Sequence, residues 1–225
     1  MPRRNRNIAR QRSTKPHTVR YLIIASIVIG IAVLFLVLAL HPQTSPSDVT
    51  FRAREMGDSG AKVVVEEFAD FQCPYCGVFS TTIEPRLRAQ YIPTGRVRFI
   101  FRNYVVVGPE STLAANAVLC AGDQDAFWEY HDLLYANQGA ENSGAFSTPR
   151  LEAFAAQLHL DGVKFDQCLT SQAHADVIAA DTQQGHRYGI PGTPSFAVNG
   201  RLVTISLQDT QYQALFSAID KALAQ

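Results

Sequence analysis

Two cysteines spaced by a proline and a tyrosine, Cys73-Pro74-Tyr75-Cys76, stand between an apolar run of strand length, Val63 to Phe68, and a segment that opens on a proline. Proline suits the first helical position, because the N–H it lacks is one that a helix leaves unpaired anyway. The four residues therefore mark a strand-to-helix turn, with Cys73 at the helix amino terminus and Cys76 one turn inside. Unpaired backbone N–H groups and the helix dipole favour an anion there. A fall in the Cys73 pKa from about 8.5 to about 5 would raise its thiolate fraction at pH 7 from a few per cent to nearly all. Cys73 reads as an exposed nucleophile and Cys76 as the resolving thiol of a disulfide that opens and closes. The same spacing is half of a zinc site, which needs two more ligands at suitable spacing. Cys120 and Cys168 have no short-spaced partner, and His131, His159, His174 and His186 read as helix-surface or satisfied histidines, so no metal is expected.

A second strand is expected over Arg96 to Tyr104, where Val97, Phe99 and Phe101 alternate on one face. Strand, helix and strand in this order imply parallel pairing, and Pro85 should kink or break the helix between them. From about residue 109 to 188 the chain is mostly helix-forming, at Leu113 to Cys120, Ala126 to Tyr135, Thr148 to Leu158 and Ala173 to Tyr188. Thr148, with Pro149 and Glu152 after it, marks one helix start. Phe127, Trp128, Tyr130 and Tyr135 read as core at helical spacing. Strand character returns at Ser195 to Val198, and Asn199-Gly200 is a two-residue hairpin turn into Leu202 to Ile205. An amphipathic helix over about Gln208 to Ala224 follows.

Seven of the 20 basic residues precede residue 21, and no acidic residue precedes Asp48. They lead into Tyr21 to Leu40, twenty residues without a charge, which argues for membrane insertion rather than a nucleic-acid arm. Twenty residues make roughly 30 Å of helix, the hydrocarbon thickness, whereas a cleavable signal has an apolar region of about 7–15 residues. The expected organisation is a basic cytoplasmic tail over 1–20, a transmembrane anchor over 21–40, a proline-rich linker over 41–50 and a domain over 51–225 outside the cytoplasm. The small residues spaced at Val37 and Ala39 make cleavage the alternative.

Glu67-Phe68-Ala69-Asp70-Phe71-Gln72-Cys73-Pro74-Tyr75-Cys76 resembles the active-site stretch of the DsbA-like thiol-disulfide oxidoreductases, and Gly189-Ile190-Pro191-Gly192-Thr193-Pro194-Ser195-Phe196 resembles that family's cis-proline segment. The resemblance spans about residues 51 to 225. It implies an α/β, thioredoxin-like fold with a helical insertion, here preceded by one transmembrane helix as in the membrane-tethered members. It also implies a cis Thr193–Pro194 bond beside the cysteines, with Thr193, Pro194, Pro74 and Tyr75 bordering a groove for an extended substrate peptide. Glu67 falls where the family carries a buried carboxylate that moves protons to and from the resolving cysteine. Glu66 would point the opposite way on the strand.

Cys120 and Cys168 are expected to form a structural disulfide, because an oxidising compartment favours pairing and some DsbA-like proteins carry a second pair in the helical region. Two separate buried thiols are the alternative. The implied reaction transfers the Cys73–Cys76 disulfide to exported protein thiols. A membrane quinone reductase, DsbB-like or vitamin K epoxide reductase-like, would reoxidise the pair, without metal, flavin or nucleotide. Cys-Pro-Tyr-Cys is also found in glutaredoxin-like and isomerase-like members, so the motif leaves the direction of electron flow open and a reductase or isomerase is the first rival. A redox-inactive peptide-binding module is the second.

Overall fold

The computed structural model describes residues 21, 22, 24, 27–31, 54–206 and 209–225. The expected tail over 1–20, the linker over 41–50 and most of the anchor lie outside them. Tyr21, Leu22, Ile24 and 27–31 are helical, and among the described residues no helix is long and apolar enough to cross a membrane.

Past that segment, β1 (Glu55–Met56), β2 (Val63–Ala69), β3 (Val97–Asn103), β4 (Ser195–Val198) and β5 (Arg201–Val203) form one sheet in the order β1-β3-β2-β4-β5. The β2 and β3 strands are parallel, with Val63 opposite Val97 and Glu67 opposite Phe101, while β4 runs antiparallel to β2. The Asn199-Gly200 turn takes positive φ at both residues, 48° and 74°, the backbone that a two-residue hairpin of this twist requires.

Between β2 and β3, helix α1 (Pro74–Val78) passes through a π-helical turn, Phe79–Ile83, into α2 (Glu84–Tyr91). Pro85 lacks an N–H and crowds the carbonyl one turn earlier, so the helix widens just before it. The Thr81 and Thr82 hydroxyls donate to the carbonyls of Gly77 and Val78, at 2.7 and 2.6 Å, supplying partners where the regular ladder is disturbed.

The helical insertion lies between β3 and β4. It comprises α3 (Pro109–Gly122), α4 (Phe127–Ala136), α5 (Thr148–Gln157), α6 (Gly162–Ser171) and α7 (Ala175–Tyr188). Helix α6 is absent from the segments expected above. Asp161-Gly162 reads as a turn, yet the Asp161 carboxylate caps the helix by accepting from the N–H groups of Val163 and Lys164. Helix α5 starts at Thr148 as expected, but no side chain caps it, the preceding Ser147 donating its hydroxyl to the Gly144 carbonyl at 3.0 Å. The closing helix, α8 (Gln213–Leu223), starts five residues later than its apolar pattern suggests.

Helix α8 and the α1–α2 segment cover one face of the sheet, where Val63, Val65, Phe99 and Phe196 pack with Phe79, Leu87, Leu215 and Ile219. The insertion builds a second core from Phe101, Phe127, Tyr130, Leu134, Phe146 and Phe165. With both faces of β2 covered, any polar group on it must find a partner or change its charge state.

Candidate active site

The cysteine pair sits where β2 ends and α1 begins. Cys73 donates its N–H to the Asp70 carbonyl at 3.0 Å, and its own carbonyl accepts from Gly77 N–H at 3.2 Å, closing the first helical turn. Asp70 fixes this loop further. One carboxylate oxygen accepts from Gln72 N–H at 2.9 Å, and the other from the N–H groups of Val106 and Val107 at 2.8 and 2.9 Å. From α4's end, the Gln138 amide donates to the carbonyls of Phe71 and Cys73 at 2.7 and 3.0 Å. A Cβ at Gly77 would meet the Gln138 Oε1 at 2.4 Å, so this contact needs glycine at position 77. Neither Asp70 nor Gln138 stood out in the sequence; only the strand-end Asp-Phe-Gln, a pattern prone to side-chain turns, pointed to the first.

Cys76 is fully buried, and Cys73 is only 6% exposed, less than a helix-start thiol suggests. The cover comes from the segment before β4. The Thr193–Pro194 bond is cis, and the Cys73 Sγ donates to the Thr193 carbonyl at 3.2 Å. A shallow groove runs on from there between Pro191, Thr193 and Pro194 on one side and Leu202, Val203 and Ile205 on the other. Pro74 and Tyr75 are exposed to solvent and do not line this groove.

The two thiols differ electrostatically. A hydrogen bond from the Cys76 thiol is the largest influence on Cys73. Against the opposing pull of burial, and with help from Thr193 and the N–H groups of Tyr75 and Cys76, it lowers Cys73 from 9.0 to about 6. Burial pushes Cys76 well above the ordinary value, and the charges of Cys73 and Glu67 add to the rise. Burial likewise raises Glu67 far above the usual carboxylate range, with Glu84 nearby pushing the same way. Glu66, on the opposite face of β2, is held as an ion pair by Arg102 at 2.8 Å and by the Tyr188 hydroxyl at 3.0 Å. One strand thus carries a paired carboxylate on one face and an unpaired one on the other. Alkylation at 25 °C should show the Cys73 reaction rising through a midpoint near pH 6, with Cys76 inert until well above pH 9. A Cys73 midpoint near 8.5 would contradict this assignment.

The family described as Thioredoxin matches residues 51–221 of the chain. The probable disulfide bond formation protein D of Bacillus cereus is 30% identical over 174 residues, covering 76% of this chain and 78% of that protein. The chain belongs to the DsbA-like thiol-disulfide oxidoreductases. Among solved structures of this family, oxidised BdbD from Bacillus subtilis superposes with a TM-score of 0.68 at 27% identity, over 76% of this chain and 93% of that one. Wolbachia pipientis alpha-DsbA1 shares the fold, with a TM-score of 0.63 at 22% identity, over 76% and 90% of the two chains. As a DsbA-like enzyme, the chain is a thiol-disulfide oxidoreductase acting on protein thiols.

Cys120 and Cys168 are joined in a disulfide that ties α3 to α6, with a sequence separation of 48. His174 lies within 4.8 Å of both sulfurs, but a disulfide offers no thiolate to a metal, and the imidazole bonds the Asp123 carboxylate at 2.8 Å instead. His131 departs from the sequence reading of a surface or satisfied histidine. It is fully buried among Phe71, Phe101, Trp128 and Tyr135, and its Nε2 has no hydrogen-bond partner.

Proposed function

We propose that this enzyme works as an oxidase, passing the Cys73–Cys76 disulfide to the thiols of exported proteins. The observation that carries the direction is the low pKa of Cys73, about 6, against a much higher one for Cys76. A thiolate stabilised only in the reduced state makes the disulfide easier to reduce, which gives an oxidising couple. Relatives named disulfide bond formation protein D support the same direction.

A client thiolate attacks the Cys73 sulfur, the S–S bond breaks, and the electron pair leaves on Cys76. Glu67, held protonated by its burial, gives that sulfur its proton. A second client thiolate then attacks the client sulfur of the mixed disulfide and expels Cys73 as a stable thiolate. Thr193 would offer backbone pairing to an extended client, because Pro194 leaves the groove free of a competing N–H. Pro74 and Tyr75, exposed next to Cys73 in the chain, would also contact the client. Reoxidation reverses the flow: Cys73 attacks a disulfide of the reoxidant, and Glu67 takes the Cys76 proton so that Cys76 closes the ring. A membrane quinone reductase, DsbB-like or vitamin K epoxide reductase-like, is the reoxidant that fits a domain tethered through residues 21–40, with its amino terminus cytoplasmic.

Acid-quenched thiol trapping in cells tests the direction, and an oxidase should be recovered mainly with Cys73 and Cys76 as a disulfide. Recovery mainly as a dithiol would assign the protein to reduction or isomerisation. Protease applied outside intact cells should digest the domain and spare residues 1–20.

A further inference from the structure

Two further side chains of metal-ligating type converge on the Cys120–Cys168 disulfide, away from the Cys73–Cys76 pair. Cys120 is buried on α3, and Asp123 follows three positions later, just past the last residue of that helix. Cys168 comes from α6. Its carbonyl accepts from Ala173 N–H at 3.1 Å as the chain turns through Gln172, whose φ is 51°. The turn brings His174 back to Cys168. Asn116 of α3, itself buried, fixes it there: its Oδ1 accepts from His174 N–H at 3.2 Å, and its Nδ2 donates to the Leu169 carbonyl at 3.1 Å.

The Cys120 and Cys168 sulfurs and a ring nitrogen of His174 all lie within 4.8 Å of one another. The Asp123 Oδ2 is 2.8 Å from the His174 Nε2 and 3.7 Å from the Cys168 Sγ. Zinc–sulfur bonds of about 2.3 Å and zinc–nitrogen or zinc–oxygen bonds of about 2.0 Å, at tetrahedral angles, set ligand atoms roughly 3.3–3.8 Å apart. The Asp123 distances are close to that spacing. The two sulfurs can separate to it once their bond is reduced, because side-chain rotation suffices between Cα atoms 5.8 Å apart. Access also suits a metal arriving from solvent: Cys120 is sealed, Cys168 and His174 are half-buried, and the Asp123 side chain is 53% exposed. Among the described residues no lysine or arginine pairs with Asp123, whose one ionic partner is His174.

A disulfide that only staples two helices needs neither an imidazole nor a carboxylate against its sulfur. Two thiolates, one imidazole and one carboxylate are a donor set that suits zinc, which accepts all three ligand types and favours four-coordinate tetrahedral geometry. We propose that reduction of the Cys120–Cys168 bond opens a zinc site formed by Cys120, Cys168, Asp123 and His174. Disulfide and metal are then alternative links between α3 and α6.

The reductant is a dithiol. One of its thiolates attacks Cys168 Sγ, the more accessible sulfur; the S–S bond breaks, and the electron pair leaves on Cys120, which takes a proton. The second thiolate of the reductant attacks the reductant's own sulfur in the mixed disulfide and expels Cys168. Two electrons have entered the protein, and the dithiol departs as a disulfide. Zinc keeps its oxidation state and displaces one proton from each of the two thiols into solvent, while His174 binds as the neutral imidazole. A protein disulfide that takes the two electrons back re-forms the Cys120–Cys168 bond and releases the metal.

The probe is zinc alone, added to the full chain carrying Cys73→Ala and Cys76→Ala, in which Cys120 and Cys168 are the only cysteines. After reduction by a phosphine that is then removed without air, this protein should take up one zinc ion in competition with a chromophoric chelator. The oxidised protein should take up none. Cobalt in place of zinc should give the visible bands of a tetrahedral ion and a sulfur-to-metal charge-transfer band. His174→Ala and Asp123→Ala should each weaken uptake about tenfold or more. Zinc should raise the melting temperature of the reduced protein and leave that of the oxidised protein unchanged. Equal uptake by the reduced and oxidised forms would overturn the site. Full affinity in either alanine variant would overturn the four-ligand set. If the reduced chain is unfolded without metal, zinc should restore its helical circular dichroism, and binding without that recovery would overturn the proposal.

Discussion

The Cys76→Ser variant is expected to lose turnover and to accumulate as mixed disulfides through Cys73. Cys76 is fully buried and touches client protein only by way of Cys73, so the substitution leaves the nucleophile and its groove intact. What it removes is an intramolecular attack by a sulfur held one helical turn away. Replacing that by bimolecular thiols at millimolar concentration should cost at least roughly three orders of magnitude in turnover. Cys73 can still attack a disulfide in a client or in the reoxidant, and the product then has no resolving thiol to release it. Non-reducing gels of the variant, with Cys73→Ser as the empty control, should show high-mass adducts that collapse on reduction. Adducts that form equally with both variants would mean that Cys73 is not the attacking sulfur. Cys76→Ala, which removes the donor that a serine hydroxyl would keep, should also raise the Cys73 pKa, since the Cys76 hydrogen bond is the largest influence holding Cys73 near 6.

The parts of this site that could be read from sequence are those governed by short-range rules. Strand periodicity placed β2 and β3, and a proline after Cys73 placed the helix start. Alternation along β2 put Glu66 and Glu67 on opposite faces, where one has an ion pair and the other none. The Asn199-Gly200 turn follows from the positive φ that these residues tolerate.

The rest depended on tertiary neighbours. Glu84 is completely buried although glutamate before a proline reads as a surface residue, and it pairs with Arg88 one turn further along α2. His131 did leave a signal: it lies four residues after Phe127 and four before Tyr135, on the apolar stripe of α4, so helical spacing alone places it inside. Cys73 is shielded by the Thr193 carbonyl, which arrives from 120 residues further along the chain, an approach implied by the family resemblance of the Thr193-Pro194 segment and not by any local pattern around Cys73.

The double substitution Cys120→Ala with Cys168→Ala is expected to lower stability by about 4 kcal/mol while leaving the redox site untouched. The disulfide joins α3 and α6 across a sequence separation of 48, and closing a loop of that length removes denatured-chain entropy worth about 4 kcal/mol on the chain-entropy relation. Other contacts keep the two helices together without it. The Asn116 amide donates to the Leu169 carbonyl at 3.1 Å and accepts from the His174 N–H at 3.2 Å, and Phe165 and Leu169 pack in the same core as Ala117 and Leu119. The folded state should therefore survive, and the loss should appear mainly as a gain in freedom of the unfolded chain. For a domain of this size that amounts to a fall in melting temperature of roughly 10 °C. Urea unfolding of the oxidised domain and of the double variant measures the difference directly, provided Cys73 and Cys76 are kept in the same redox state in both. The Cys73 titration near pH 6 should be the same in the two proteins, because Cys76, Thr193 and the α1 backbone that set it lie outside the α3–α6 link. A stability loss below about 1 kcal/mol would show that packing between α3 and α6 already restricts the unfolded chain there, and that the bond adds little to it.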